Sequence, residues 1–483
     1  MPSQREIVMQ RVSLGLGGLM MGVLLALATV PHAKSAAHDV SVTALTPDAR
    51  EQRIKLAGIG NSSAYLPTGT IRGTMLFLSD EQGWTSDTAR LARKLSDNGF
   101  AVAGIPTPIF RKAFYAGKGC ANPNYLLTTI AKDFEHKLGF AHYDKPAVIG
   151  AGTGAALVYG ALAEAQPNIY RGGITLGLSP TVLGAKPWCA ADGLTLSRTY
   201  DATMAPGWRF SPPASLPIPL VALENPAQSA AVARFLAQAP QAKTVVLQPN
   251  ESWITALTPR ISPWFDTASP AEPGGRSLSD LPIALSTDPA APPGKTMAIL
   301  YSGDGGWAGI DRDIAAALAA RGVPSVGVDS LAYFWTARTP QEAGHDLDRL
   351  ITHYSALWHK PRVVLIGYSF GADDLAYIVG TLPPDARARI SRVSFLGLSP
   401  TADFQFHLAS WLDIAGADAL PTAPAIAKLR GLPMQCVRGT EESDSACPSL
   451  PATLAEQDIL PGGHHFDGNT TLVASTILQG LRL

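Results

Sequence analysis

Beyond its N-terminal segment the 483-residue chain has no cluster of basic residues, and its formal net charge is only -1. The electrostatic footprint of a nucleic-acid binder is therefore missing, and a polyanionic partner is not expected. After Val30 no stretch is long and apolar enough to cross a bilayer, so the mature chain is expected to have no transmembrane segment. There are only four cysteines and no Cys-x-x-Cys pair, and His464 and His465 have no ligand-like neighbours. That argues against a metal site, and neither metal nor cofactor is expected. A long hydrophobic lid is also missing, which makes a triglyceride lipase a poor reading.

What the N-terminus does contain is Arg5 and Arg11, an apolar stretch from Val12 to Val30, and the small-residue run Ala33-Lys-Ser-Ala-Ala37. This is the pattern of a secretory signal peptide over residues 1–37; an uncleaved anchor is the competing reading. The cysteines agree with export to the periplasm. Cys120 and Cys189 fall in the first half, Cys436 and Cys447 in the second, and one disulfide per half is the simplest pairing in an oxidising compartment.

An internal repeat sets the domain plan. Thr74 to Trp84 (TMLFLSDEQGW) matches Thr296 to Trp307 (TMAILYSGDGGW), and Pro146 to Pro180 matches Arg362 to Pro400, down to a shared Gly-Leu-Ser-Pro. The chain is too long for one core, and strands alternate with helices in both halves. The expected fold is α/β: two tandem α/β-hydrolase-like domains, each a mostly parallel sheet with helices on both faces. Their boundaries are placed at 38–268 and 281–483, joined by a Pro/Gly-rich linker at 269–280.

The chemistry is read from Gly367-Tyr-Ser-Phe-Gly371, which follows the apolar run Arg362-Val-Val-Leu-Ile366. A serine at a sharp strand-to-helix turn flanked by glycines is a nucleophile elbow, so Ser369 is the candidate nucleophile. The first half reads Gly150-Ala-Gly-Thr-Gly154, which we take to put Thr153 at the elbow, and the region around Val246 has no histidine. A hydroxyl without a base is a weak nucleophile, so the first domain is expected to be degenerate. In this architecture the order is nucleophile, acid, histidine. His464 or His465, after Gly462-Gly463, is the candidate base, with His464 favoured. The loop after the strand Met434 to Val437 offers Glu441, Glu442 and Asp444 as the acid; Glu442, three residues past Gly439, is favoured over Asp444. The oxyanion hole is expected from the Phe370 N–H and the loop Ser302 to Trp307, where Gly303 and Asp304 are candidates. Asp304, Asp373, Trp307 and Tyr368 border the elbow and are candidate substrate contacts. For Asp373 a helix-dipole role, and for Trp307 a packing role, compete with that reading.

Tyr301-Ser-Gly-Asp-Gly-Gly-Trp307, Gly367-Tyr-Ser-Phe-Gly-Ala-Asp373, Gly397-Leu-Ser-Pro400, the Cys436 to Cys447 segment and Gly462-Gly-His-His-Phe-Asp-Gly468 together resemble the VirJ/AcvB family of exported bacterial virulence-associated proteins. The upstream eroded copy resembles the longer AcvB-like members. That resemblance implies hydrolysis of lysyl-phosphatidylglycerol at the periplasmic face of the inner membrane, with an aminoacylated phospholipid as the partner. A carboxylate at Asp304 or Asp373 would then meet the lysyl ammonium groups. VirJ-like proteins are also linked with delivery of secretion substrates, so a non-catalytic binding or assembly factor, with the hydrolase fold as scaffold, is the alternative from another class. A serine esterase acting on another ester is a third.

Overall fold

The structure is a computed structural model that describes residues 51–116, 120–167, 169–189, 194–248, 251–265, 278, 280–405 and 419–482. The expected signal peptide and most of the expected linker lie outside the described residues. Residues 47–483 form one compact unit, within which there are two large sheets.

The first sheet is built from β1 (Glu51–Leu56), β2 (Gly60–Tyr65), β3 (Gly73–Leu78), β4 (Phe100–Ile105), β5 (Ala147–Ala151), β6 (Gly172–Leu176), β7 (Leu220–Glu224) and β8 (Ala242–Val246). They lie in the order β1-β2-β4-β3-β5-β6-β7-β8. The second is built from β9 (Ile283–Ser286), β10 (Thr296–Tyr301), β11 (Ser325–Val328), β12 (Arg362–Tyr368), β13 (Ile390–Leu396), β14 (Met434–Gly439) and β15 (Glu456–Leu460). Its order, β9-β11-β10-β12-β13-β14-β15, repeats that of the first sheet without the β1 strand. Among the described residues of these two sheets, only β1, β2 and β9 run antiparallel to their neighbours, and every other pairing is parallel. Both domains are α/β-hydrolase-like.

The reason lies in the strand sequences. Arg-Val-Val-Leu-Ile-Gly-Tyr in β12 is buried at every position after the first, as a parallel strand covered on both faces must be. One apolar cluster packs on each face of the second sheet, and another pair on the first. Two duplicated details confirm that the domains share one plan. The Trp84 ring lies where a Cβ on Gly104 would be, 2.5 Å from its Cζ2, and the Trp307 ring lies against Gly327 in the same way, at 2.1 Å. Ser79 Oγ accepts from the Thr107 N–H at 3.1 Å, and Ser302 Oγ accepts from the Ser330 N–H at 2.9 Å.

These pairings shift the repeat by one residue from the textual match. Leu78 pairs with Gly150, and Tyr301 with Gly367, so Ser79 corresponds to Ser302 and Asp80 to Gly303.

Candidate active site

Ser369 directly follows β12, at φ 53 and ψ -123, and caps the helix α2 (Phe370–Gly380), whose partner in the first domain is α1 (Thr153–Glu164). A non-glycine residue at that φ is strained, and strain of this kind concentrates at functional sites. The turn is possible because Gly367 and Gly371 lie against backbone: a Cβ on Gly367 would sit 2.3 Å from the Gly371 carbonyl oxygen. The Ser369 N–H donates to Leu396 O at 2.8 Å, which ties the elbow to the end of β13.

The two loops after β14 and β15 bring the remaining groups to that end. Glu442 curls back so that its Oε2 accepts from the Gly439 N–H at 3.0 Å, and its Oε1 lies 2.5 Å from His464 Nδ1. A carboxylate only accepts, so the Nδ1 of His464 carries the proton and Nε2 is left to accept one. Burial is the largest single influence and works against charge on both partners, yet their mutual hydrogen bond and the neighbouring charges together outweigh it. His464 is raised above its ordinary value and Glu442 is held below its own. Asp444 is exposed, and the structure pairs it with neither histidine.

The imidazole of His464 lies over Gly397, directly after the carbonyl that anchors Ser369. A Cβ there would meet His464 Cε1 at 2.6 Å, and Gly397 also has φ +62. The glycine of Gly-Leu-Ser-Pro is thus the space in which base and acid meet, a role its appearance in both copies hinted at but did not specify. Gly397→Ala is expected to displace His464 and cut kcat by about 100-fold, since misplacement by about 1 Å costs that much. Activity within a factor of three of native would refute this spacing role.

The other candidates divide. His465 is lowered by burial and by the neighbouring His464, and its Nδ1 bonds the Tyr368 hydroxyl at 2.7 Å. Tyr368 is 3% exposed, and its hydroxyl also reaches His464 O at 3.2 Å. Contrary to the expectation that it would contact substrate, its hydroxyl is turned to the histidine loop. Trp307 is likewise core, filling the space over Gly327. Asp373 is buried, and its Oδ1 accepts from the Ser399 N–H at 2.6 Å; burial pushes its carboxyl well above the ordinary value. It is therefore not an open substrate carboxylate. Asp304 is exposed on the loop after β10.

That loop is tightly held. The Gly303 N–H is engaged by Asp311 Oδ1 at 3.3 Å, so it is not the second oxyanion donor. Gly303 O accepts from the Gly306 N–H and from Ser302 Oγ, both at 3.1 Å. Because the peptide is trans, clamping this carbonyl fixes the direction of the Asp304 N–H, which donates to no acceptor among the described residues. Gly303 has no side chain to fill the space, and a Cβ on it would lie 3.4 Å from that of Ser369. Phe370 N–H at the start of α2 and Asp304 N–H are the two candidate donors.

The first domain corrects one expectation. The residue with the elbow conformation, φ 53 and ψ -116, is Gly152, so Thr153 corresponds to Phe370 and there is no hydroxyl at the nucleophile position. Moreover, Asp80 stands where the second domain has Gly303. Its Oδ1 accepts from the Thr153 N–H at 2.8 Å, so a carboxylate plugs the place of the oxyanion.

Both disulfides form, Cys120–Cys189 and Cys436–Cys447. The second ties β14 to the far end of the loop carrying Glu442. Replacing both of its cysteines with serine is expected to remove about 2–3 kcal/mol of stability, since a loop of roughly 15 residues is worth about 3. Urea unfolding that is unchanged by the substitution would contradict that.

Several solved structures are similar over less than half of this chain. Est1E from Butyrivibrio proteoclasticus is 12% identical, with 40% of this chain and 90% of that one covered and a TM-score of 0.30. The poly(3-hydroxybutyrate) depolymerase LpqC from Bordetella parapertussis is 16% identical, covering 42% and 84%, with a TM-score of 0.29. A thioesterase domain from the curacin biosynthetic pathway is 14% identical, covering 44% and 100%, also at 0.29. No curated protein matches. The model of the family described as bacterial virulence protein (VirJ) matches residues 295–483, so the span that carries the elbow, Glu442 and His464 is similar to that family.

Proposed function

We propose that this protein is a periplasmic serine ester hydrolase that cleaves the aminoacyl ester of lysyl-phosphatidylglycerol. The observation that carries the reading is the His464–Glu442 pair, 2.5 Å apart, beside a strained Ser369. Ser369 Oγ attacks the lysyl carbonyl carbon while His464 Nε2 takes its proton. The oxyanion that develops is met by the Phe370 and Asp304 N–H groups. Collapse expels the glycerol oxygen of phosphatidylglycerol, protonated by His464, and leaves lysine esterified to Ser369. Water, deprotonated by His464, then releases lysine.

Asp304 is the carboxylate available for the lysyl ammonium groups, because Asp373 is engaged internally. A cavity of about 1160 Å³ beside the oxyanion loop, lined in part by Lys132, Lys145, Gly305, Asp329 and His465, offers room for a charged headgroup. Two disulfides are consistent with an oxidising compartment. Among the described residues no helix is long and apolar enough to cross a membrane, so the lipid is taken to be met at its surface.

The test is incubation of the mature chain with vesicles containing lysyl- or alanyl-phosphatidylglycerol, with Ser369→Ala as control. Release of lysine by the native chain alone supports the reading. Preference for the alanyl lipid moves the substrate within the class. If neither lipid is cut, the assembly-factor alternative comes forward.

A further inference from the structure

The first domain lacks a nucleophile, yet it reaches into the second domain's site. Its helix Pro123–Lys137 carries Lys132, which is 7% exposed, and whose Nζ donates to Asp304 O at 3.0 Å. Other groups fix this approach. The Trp335 Nε1–H donates to Phe140 O at 2.8 Å, and the rings of Tyr143 and His136 lie 5.3 and 6.0 Å from that of Trp335. Gln166 packs so closely on Gly309 that a Cβ there would overlap its side chain.

Within the oxyanion loop, two groups next to Asp304 are already anchored by the second domain itself: the Gly303 N–H by Asp311, and the Gly303 carbonyl by Gly306 and Ser302. The carbonyl of Asp304 is the group that the second domain leaves to its neighbour. The clamp on the Gly303 carbonyl sets the direction of the Asp304 N–H, and an anchor on the next carbonyl keeps the Asp304 Cα, and so the position of that N–H, from drifting with the exposed 304–305 turn. A cation buried nearly completely against a backbone carbonyl is costly to desolvate. Here Asp304 and Asp329 offset part of that cost: burial is the larger influence and leaves Lys132 below its ordinary value, while these two carboxylates raise it.

We propose that Lys132 is a positioning residue for the second domain's chemistry, a cross-domain anchor that holds Asp304 in place through its carbonyl so that the Asp304 N–H meets the oxyanion formed at Ser369. The degenerate domain is then a working part of the active site. The inference rests on the hydrolase reading above, but not on the identity of the lipid.

The experiment uses the full chain, p-nitrophenyl butyrate as substrate, an alkyl boronic acid as a mimic of the tetrahedral intermediate, and amide hydrogen exchange. In Lys132→Met, kcat should fall about 10- to 100-fold, less than or equal to loss of a whole oxyanion donor, with KM within about twofold. Boronate inhibition should weaken by the same factor as kcat. Amide exchange should quicken in residues 302–307 but not in 363–380. Lys132→Arg, which keeps a cationic donor, should recover part of each effect. Unchanged kcat, a loss expressed only in KM, or unaltered exchange in 302–307 would overturn the proposal. So would equal losses in the Met and Arg variants with exchange quickened throughout. A native chain that neither cleaves the ester nor is labelled at Ser369 by a fluorophosphonate would overturn the hydrolase reading, and the catalytic meaning of the anchor with it. A native chain that does both, with Lys132→Met equally active, would overturn the anchor alone.

Discussion

Ser369→Gly is expected to abolish esterase turnover and, at the same time, to make the protein more stable by about 1 kcal/mol. The two effects have one cause. At φ 53 and ψ -123 a residue with a Cβ is strained, by about 1–3 kcal/mol. Glycine accepts that conformation freely, at an entropic cost of about 0.5–1 kcal/mol in the unfolded chain. Removing the hydroxyl removes the nucleophile, and loss of a catalytic serine lowers kcat by about 10⁶ in a well-characterised hydrolase. Ser369→Ala should lose activity equally but gain no stability, because it keeps the Cβ. The first domain has already made the glycine change: Gly152 sits at φ 53 and ψ -116 with no hydroxyl. Denaturant unfolding of the native, Ala and Gly forms separates the two contributions. A Gly variant no more stable than the Ala variant would mean that the elbow is not strained.

Glu442→Gln should lower kcat by about 10³- to 10⁴-fold, the scale seen when a triad acid is replaced by its amide and the histidine tautomer is lost. It should also move the acidic limb of the pH profile in a defined direction. In the native site the hydrogen bond and charge of Glu442 raise His464 above 6.5, against burial, which lowers it. The base is therefore neutral, and the native enzyme active, only above a limb that lies on the alkaline side of 6.5. Without the carboxylate, burial still lowers His464 while the main raising influences are gone. The limb must shift to lower pH. A kcat/KM profile whose limb stays in place would remove Glu442 from the role and return attention to Asp444.

The elbow and the duplication were legible because both are written locally. A strand buried on both faces must be a continuous apolar run, and a turn in which backbone approaches backbone must contain glycine, so Gly367, Gly371 and the residues between them point to one geometry. The register of the repeat was less legible. Thr74 and Thr296 align as letters, but hydrogen-bond partners across the sheet place Leu78 with Tyr301. The same limit affected the first elbow, where Thr153 was the only hydroxyl in view and the backbone assigned the turn to Gly152.

Side-chain duties near the elbow were the least legible. Tyr368, Trp307 and Asp373 have the composition of a binding site, yet each is turned to a neighbour: the histidine loop, the Gly327 strand and the Ser399 N–H. Asp80 and Gly303 are separated by 223 positions in number yet occupy matching places, one filling an oxyanion site and one leaving it open. The sequence alone determined the fold type, the paired domains and the identity of the strained serine, because backbone sterics and apolar patterning act over a few residues. Only the tertiary structure decided which acid meets His464, which hydroxyl is absent and which lysine crosses between domains, because a polar side chain takes its role from the partner that burial brings to it.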